Sequence, residues 1–230
     1  HPWAMRLPFL LLGACVPWLV AKICARWFGE AAGWQAGLLT VLMPLSGTLG
    51  LLALPDVPMA FATALCLDAG ARLLRQSTAG HALELAAGLA IGALTHYRFL
   101  GVIAVGLVAL LMLPAGRRLL RDPRVWVALA IGALAWLPLL GWNLGHGDAG
   151  LRFQLIDRHP WAPHRDGWWF VAIQALLVTP LLFIALSQTF LLTLREHSPE
   201  GAQWRYFGLL GGVSTLGFFD LAVLVAADSK

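Results

Sequence analysis

The stretch Leu51-Leu52-Ala53-Leu54-Pro55-Asp56-Val57-Pro58-Met59-Ala60-Phe61 places one carboxylate between two prolines inside a long apolar sequence. Proline lacks a backbone N–H and disfavours helical geometry in the residue before it, so this pair predicts that one helix ends here and another begins. The flanking runs are typical of membrane helices. We therefore expect Asp56 at the water boundary of a membrane protein, where a carboxylate can bind a cation or take up a proton.

Asp56 also has a purely structural interpretation as a helix N-cap. A carboxylate at that position, with Pro58 just inside the helix, accepts hydrogen bonds from backbone N–H groups near the positive end of the helix dipole. The two roles are compatible, because a capping carboxylate keeps a lone pair for a cation. The sequence leaves both open.

The composition extends the membrane interpretation to the whole chain. Of the 230 residues, 59% are hydrophobic and 12% are charged, whereas a soluble domain has about 25% charged residues. Apolar stretches of about 20 residues recur, which is enough to cross a hydrocarbon core of roughly 30 Å. We expect an all-α, polytopic transmembrane helical bundle that forms one domain over residues 1–230. About eight spans are predicted, at 7–28, 32–54, 57–75, 81–95, 99–114, 125–143, 168–194 and 206–227, with an outer loop at 143–167.

The distribution of Lys and Arg predicts the orientation of these spans. With alternating spans, one side collects Lys22, Arg26, Arg72, Arg75, Arg117, Arg118, Arg121, Arg124, Arg195 and Arg205, and the other collects six. The positive-inside rule makes the first side cytoplasmic. Because topology explains these charges, the net charge of +4 does not indicate nucleic-acid binding. Asp56, the turn at 96–98 and the outer loop then share the opposite face, whereas a transport pathway places polar groups near mid-membrane.

The turn His96-Tyr97-Arg98 offers an imidazole, a phenol and a guanidinium at the end of a span. Arg98 could bind a phosphate through two parallel hydrogen bonds, as a lipid-phosphate substrate requires. The alternative is an interfacial anchor, with Tyr97 at headgroup level and the Arg98 side chain reaching water.

The outer loop, which runs from Trp142 towards Trp169, is polar and rich in aromatic residues. Its histidines and acids suggest a metal site, but they lack the i, i+4 spacing of a helical zinc motif and any cysteine pattern. An interfacial helix or lid beside a lipid substrate fits its tryptophans better. Elsewhere, Asp68 lies four residues before Arg72, so we predict a local ion pair for this intramembrane acid.

Several motifs, in order along the chain, resemble the bacterial family 39 membrane glycosyltransferases, which are relatives of the protein O-mannosyltransferases and of the aminoarabinose transferases that modify lipid A. Met5-Arg6-Leu7-Pro8 resembles the Arg-Leu-Pro start of an early helix, and Leu54–Pro58 resembles Thr-Pro-Asp-x-Pro with Leu in place of Thr. The run 87–94 resembles the Gly-rich segment before a Ser-Lys-Tyr turn, although His96 stands where the family has Lys. Trp142-Asn143, His146 and Phe153-Gln154 resemble Trp-Asn-x-x-His and Phe-x-Phe-Gln elements.

This resemblance implies a GT-C fold in the bacterial inner membrane, with the active face on the periplasmic side. It implies inverting transfer of a sugar from a polyprenyl-phosphate carrier to a lipid, glycan or protein acceptor. It also implies a supporting catalytic role for Asp56, with a divalent cation as a candidate cofactor there. The substrate-binding residues that it implies are His96, Tyr97, Arg98, Asn143, His146, Arg152 and Gln154.

The family's acidic catalytic residues lie in a first outer loop, before the segment that His1 begins here. We therefore expect this chain to be an internal fragment that is inactive alone, with the general base outside it. The alternative class is a non-enzymatic membrane transporter, flippase or lipid-binding scaffold. A transporter of this kind predicts two related halves with paired broken spans, and no such repeat is visible in the sequence.

Overall fold

The computed structural model describes residues 2–43, 53–153, 169–177, 179–195 and 202–224. Within these ranges the regular structure is helical, which confirms the predicted all-α class. The helices are α1 (Pro2–Phe28), α2 (Glu30–Leu42), α3 (Asp56–Arg75), α4 (Ala79–Thr95), α5 (Phe99–Met112), α6 (Pro114–Leu119), α7 (Pro123–Leu134), α8 (Leu137–Gly145), α9 (Ala149–Arg152), α10 (Trp169–Leu177), α11 (Pro180–Arg195) and α12 (Ala202–Leu224).

Fewer helices than predicted are long enough to cross a membrane. In the described part of the chain, Arg6–Phe28, Asp56–Arg75 and Pro123–Gly145 have the required length and hydropathy, so the count is three rather than about eight. Ala79–Thr95, Phe99–Met112 and Pro180–Arg195 are apolar but shorter. At 1.5 Å per residue, the 17 residues of α4 reach about 25 Å, less than the hydrocarbon core. A helix break at Thr179, which has a φ of 70° and precedes Pro180, shortens the predicted span 168–194, because proline cannot supply the N–H of a continuing helix.

The chain divides into two compact units, and the expectation of one domain stays a prediction. Unit 1 comprises His1–Ile103 and Leu110–Trp136, and unit 2 comprises Ala104–Ala109 and Leu137–Lys230. In unit 1, α1 packs against α2 and α3, and α4 packs against α3 and α7. In unit 2, α10, α11 and α12 pack against one another.

Small residues allow the helices of unit 1 to approach closely. Gly29, at φ 95°, turns the chain from α1 into α2 in a conformation that favours glycine. Beyond it, a Cβ on Gly33 would lie 2.6 Å from the Ala25 Cβ. On α4, a Cβ on Gly88 would lie 2.7 Å from the Cys66 Sγ of α3. Such contacts provide the close van der Waals packing that joins membrane helices, for which lipid offers no hydrophobic driving force.

Gly92 of α4 has a different neighbour, the ring of Phe99 at the start of α5. A Cβ on Gly92 would overlap this ring. Phe99 is fully buried, so the ring cannot swing into solvent to make room. The pair therefore fixes how the chain returns after the turn at 96–98.

Replacing Gly92 with alanine should lower the free energy of unfolding by about 1–3 kcal/mol, because the added methyl group overpacks a closed contact. Thermal or denaturant unfolding of the purified protein in detergent measures this. Gly101→Ala is the matched control, since no heavy atom lies within 4 Å of the place that its Cβ would take. That control should be neutral or stabilise by up to about 1 kcal/mol, as alanine favours helix. Equal effects of the two variants would contradict the assigned contact.

Candidate functional site

Asp56 and the turn at 96–98 lie at the same end of unit 1. Gly88 of α4 meets Ala62 and Cys66 of α3, and Glu84 pairs with Arg72 one turn or more further along α3. Along the interface, later residues of α3 therefore contact earlier residues of α4, so the two helices are antiparallel. The first residue of α3 and the residues that follow α4 share one end, called here the Asp56 end. Two of the three segments predicted to share a face are therefore brought together.

Asp56 is the first residue of α3 and is half-buried. The N-cap is Pro55, and no side chain caps the helix, so the N-cap interpretation of Asp56 is wrong by one position. In the first turn, the carboxylate still gains from the positive end of the helix dipole. Within the described residues, no hydrogen bond or ion pair engages its oxygens. Asp56 is thus a carboxylate in a favourable field whose oxygens are available to a substrate or an ion.

The turn His96-Tyr97-Arg98 separates α4 from α5, which confirms a break between these two helices. The backbone N–H of Arg98 donates to the His96 Nδ1 at 3.1 Å. This bond fixes the orientation of the His96 ring within the turn. Arg98 itself is exposed, and no carboxylate of the described chain pairs with it. The turn therefore presents an exposed guanidinium beside an oriented imidazole.

Tyr97 holds the turn against α7. Its ring centroid lies 6.1 Å from that of Trp136, with the planes tilted by 34°, and 6.2 Å from that of His96 in an edge-to-face arrangement. Both geometries are favourable for aromatic pairs. Tyr97 and Trp136 give the turn a fixed aromatic support, in addition to the Gly92–Phe99 contact on its other side.

The divalent cation predicted at Asp56 stays a prediction. Among the described residues, no three His, Cys, Asp or Glu side chains come together to hold a metal ion. A single carboxylate supplies at most two of the six or more oxygen ligands that Mg²⁺ or Ca²⁺ takes. Asp56 with its described neighbours does not fit a metal site, and the chemistry proposed below uses protein groups alone.

The predicted outer-loop residues lie in unit 2, where Asn143 organises the loop. Asn143 is buried, with 1% of its surface exposed. Its Nδ2 donates to the Leu139 carbonyl at 2.9 Å, and its Oδ1 accepts from the backbone N–H groups of Gly150 and Leu151, each at 3.0 Å. The amide thereby ties α8 to α9. Its predicted substrate-binding role stays a prediction, because this side chain also has a clear structural task.

His146 and Arg152 are exposed on the same loop. The His146 ring stacks on Trp142 with centroids 4.3 Å apart, and its Nδ1 donates to the Trp142 carbonyl at 2.7 Å. Gly147 and Asp148 both have positive φ, which turns the chain into α9, where the Arg152 N–H donates to the Asp148 carbonyl. Asn143 in α8 and Arg152 in α9 thus lie on either side of a tight turn that contains His146. Gln154 lies outside the described residues, as does the rest of the predicted loop to 167.

At the opposite end of unit 1, a charged cluster formed by Arg26, Asp68, Arg72 and Glu84 joins three helices. Asp68 is 2% exposed, accepts a hydrogen bond from Arg26 and lies 3.7 Å from Arg72. The Trp27 Nε1 also donates to Asp68, at 3.0 Å. Arg72 donates to Glu84 at 2.6 Å. This end of the helices is called here the basic end.

The predicted Asp68–Arg72 pair is confirmed, but the sequence prediction missed Arg26 and Trp27. They lie about forty positions away, so no local spacing relates them to Asp68. The sequence did carry one signal for them. A carboxylate inside an apolar span needs partners for both of its oxygens, and when one local arginine pairs only one oxygen, the other requires a partner from another helix.

The loop that begins α7 is held to the same end. Asp122 accepts hydrogen bonds from Ser77 and from the Arg124 N–H, and the Arg124 guanidinium donates to the Ser77 carbonyl at 2.7 Å. The Ser77 hydroxyl, with a smaller contribution from Arg124, lowers the pKa of Asp122 below its ordinary value. The cluster 117–124 therefore lies at the basic end with Arg26 and Arg72, as the predicted topology requires.

Comparison with known proteins gives one family. The family described as dolichyl-phosphate-mannose-protein mannosyltransferase matches residues 1–142, a range that contains Asp56 and the turn at 96–98. A lipid A galacturonosyltransferase of Rhizobium johnstonii is 32% identical over 187 residues, which are 79% of this chain and 39% of that protein. The chain thus spans well under half the length of this relative. No solved structure matches the chain.

Proposed function

The chain belongs to the dolichyl-phosphate-mannose-protein mannosyltransferase family of membrane glycosyltransferases, and on this premise we propose that it transfers a sugar from a polyprenyl-phosphate carrier to an acceptor. The observation that carries the proposal is the grouping of Asp56 with the turn at 96–98 at one end of unit 1. Both lie within the residues that the family matches. Family membership favours this enzyme over a transporter or a lipid-binding scaffold.

The turn at 96–98 suits the departing phosphate. When the acceptor hydroxyl attacks the anomeric carbon, the bond from that carbon to the phosphate oxygen breaks and its electron pair passes to the phosphate. The leaving group gains one negative charge, which positive and N–H donors stabilise most in the transition state. Arg98 provides such donors, and the His96 imidazole lies beside it in the same turn. The acceptor's proton passes to a general base, which we expect from a first outer loop of the complete protein.

Asp56 is proposed to orient this site. A half-buried carboxylate at the start of α3 can hold an acceptor hydroxyl or order the cationic groups of the neighbouring turn. We place this end on the periplasmic face of the bacterial inner membrane, because the basic end carries the Lys and Arg cluster that the positive-inside rule assigns to the cytoplasm.

A lipid is the acceptor class that we propose. The relative that shares 32% identity with the chain is named for lipid A, whereas the family description names a protein acceptor. The test uses the product of the complete reading frame that encodes this chain, purified in lipid nanodiscs. Polyprenyl-phosphate galacturonate and polyprenyl-phosphate mannose are supplied in turn, with lipid A or a Ser/Thr peptide. Transfer to lipid A supports the proposal, and transfer to peptide alone would overturn the acceptor. No transfer from either donor by folded protein would overturn the carrier.

Replacing Arg98 with glutamine should lower the rate of transfer about tenfold, because one charge-assisted hydrogen bond to the leaving phosphate is lost. Arg98→Lys should recover part of the rate, since it restores the charge but not the paired geometry. Initial rates at saturating donor measure the effect. Arg118→Gln, an exposed arginine in α6 at the basic end, is the control and should retain the wild-type rate. An unchanged rate in Arg98→Gln would remove Arg98 from the site.

A further inference from the structure

Unit 1 contains a polar cleft at the basic end, away from Asp56. Its volume is about 450 Å³, and it is lined by Arg26, Trp27, Arg72, Arg75, Gln76 and His81. These residues come from the end of α1, the end of α3 and the start of α4. The proposed sugar transfer uses none of them.

The cleft carries an excess of positive charge. Three arginines line it, and two carboxylates neutralise part of their charge: Asp68 engages Arg26, and Glu84 engages Arg72. Arg75 is exposed and pairs with no carboxylate of the described chain. Its guanidinium carbon instead lies 5.2 Å from the centre of the Trp27 ring. That stacking holds the guanidinium at the cleft while its N–H groups stay available to an anion.

The surroundings of the cleft point to a lipid. The three helices that line it end or begin here, at the level where a span meets water. One turn before Arg26, the Lys22 ammonium lies 4.3 Å from the centre of the Trp18 ring, and Trp18 is 57% exposed. An exposed tryptophan beside a lysine is typical of a membrane interface. Basic pockets between membrane helices on the cytoplasmic side suit the phosphates of anionic lipids.

We propose that this cleft binds the phosphodiester headgroup of an anionic phospholipid such as phosphatidylglycerol. Arg75 is the main ligand to the phosphate, and Arg26 and Arg72, held in place by Asp68 and Glu84, provide the positive field around it. These ion pairs reduce the repulsion between the arginines and fix the positions of Arg26 and Arg72. The Trp27 ring stacks against the Arg75 guanidinium, and its Nε1–H donates to Asp68.

Native mass spectrometry of the complete protein in a zwitterionic detergent tests this proposal. Phosphatidylglycerol or phosphatidylcholine is titrated in, and the dissociation constant of the first retained lipid is measured. We expect tighter retention of phosphatidylglycerol, and Arg75→Gln should weaken it about tenfold. This variant keeps a side chain that can cover Trp27, and its melting temperature shows that the fold is intact. Arg121→Gln removes the same charge from an exposed position outside the cleft and should leave retention within twofold of wild type.

Two results would overturn the proposal. Equal weakening by Arg75→Gln and Arg121→Gln would show that general surface charge retains the lipid. Competition with millimolar inorganic phosphate distinguishes a lipid ligand from a soluble phosphate compound. The proposal would be overturned if phosphate at this concentration displaced the lipid and were itself retained by wild type but not by Arg75→Gln. The cleft would then bind a soluble phosphate compound instead.

Discussion

Replacing Asp68 with alanine should destabilise the protein by about 3 kcal/mol, which is the largest effect on stability expected in unit 1. Removing one partner of a buried ion pair costs about 3–5 kcal/mol, because the remaining charge loses its compensation. Here the substitution leaves Arg26 without its carboxylate and the buried Trp27 without the acceptor of its N–H. Arg26 is 41% exposed and regains some hydration, so the lower end of the range applies.

Two further variants separate charge from packing at this position. Asp68→Asn keeps an acceptor for Trp27 and should cost less than alanine. The double variant Arg26→Met with Asp68→Leu removes both charges and should be more stable than Asp68→Ala. Unfolding in detergent, followed by near-UV circular dichroism, measures all three. If the double variant were no more stable than Asp68→Ala, the unpaired charge would not be the cause of the destabilisation.

The sequence predicts most of unit 1 because its main signals are local. Prolines near Asp56 and the polar turn at 96–98 mark helix ends. Arg72 is within one helical turn of Asp68, so their pairing also follows from spacing. The division of Lys and Arg between two ends similarly depends only on the order of the spans.

What the sequence did not predict depends on contacts between distant positions. Arg26 and Trp27 meet Asp68 only because α1 packs on α3. Asn143 was predicted from motif resemblance to bind substrate, but nothing in its spacing indicates that its amide is buried and bonded to Leu139, Gly150 and Leu151. The length of the predicted span 168–194 was overestimated, because hydropathy continues across the helix break at Thr179.

Replacing Asp56 with asparagine should lower sugar transfer about 100-fold, the largest effect expected on activity. Asparagine has nearly the same shape but lacks the charge that orders cationic groups and holds a bound hydroxyl in place. Removing one preorganised electrostatic group from an active site costs roughly 100–1,000-fold in rate. The lower end applies because Asp56 is proposed to orient the site and not to exchange a proton with the substrate. The fold should be retained, since no side-chain hydrogen bond at this helix start is lost.

Glu30 offers a matched control for Asp56. Like Asp56, Glu30 is an acidic residue in the first turn of a helix, in this case α2. Unlike Asp56, it is exposed, and it follows Gly29 just beyond the C-terminal end of α1. Glu30→Gln removes the same charge from the same kind of helix position. Any loss of activity that results only from a weaker interaction with the helix dipole, or from the change in net charge, should therefore occur in both variants.

The rate of sugar transfer from a polyprenyl-phosphate donor, measured in parallel for wild type, Asp56→Asn and Glu30→Gln of the complete protein in nanodiscs, tests most directly whether the Asp56 end is the site of chemistry. Equal amounts of folded protein are confirmed by circular dichroism before each assay. We predict that Glu30→Gln stays within about twofold of wild type and that Asp56→Asn falls about 100-fold below it. Wild-type transfer by Asp56→Asn would contradict the account.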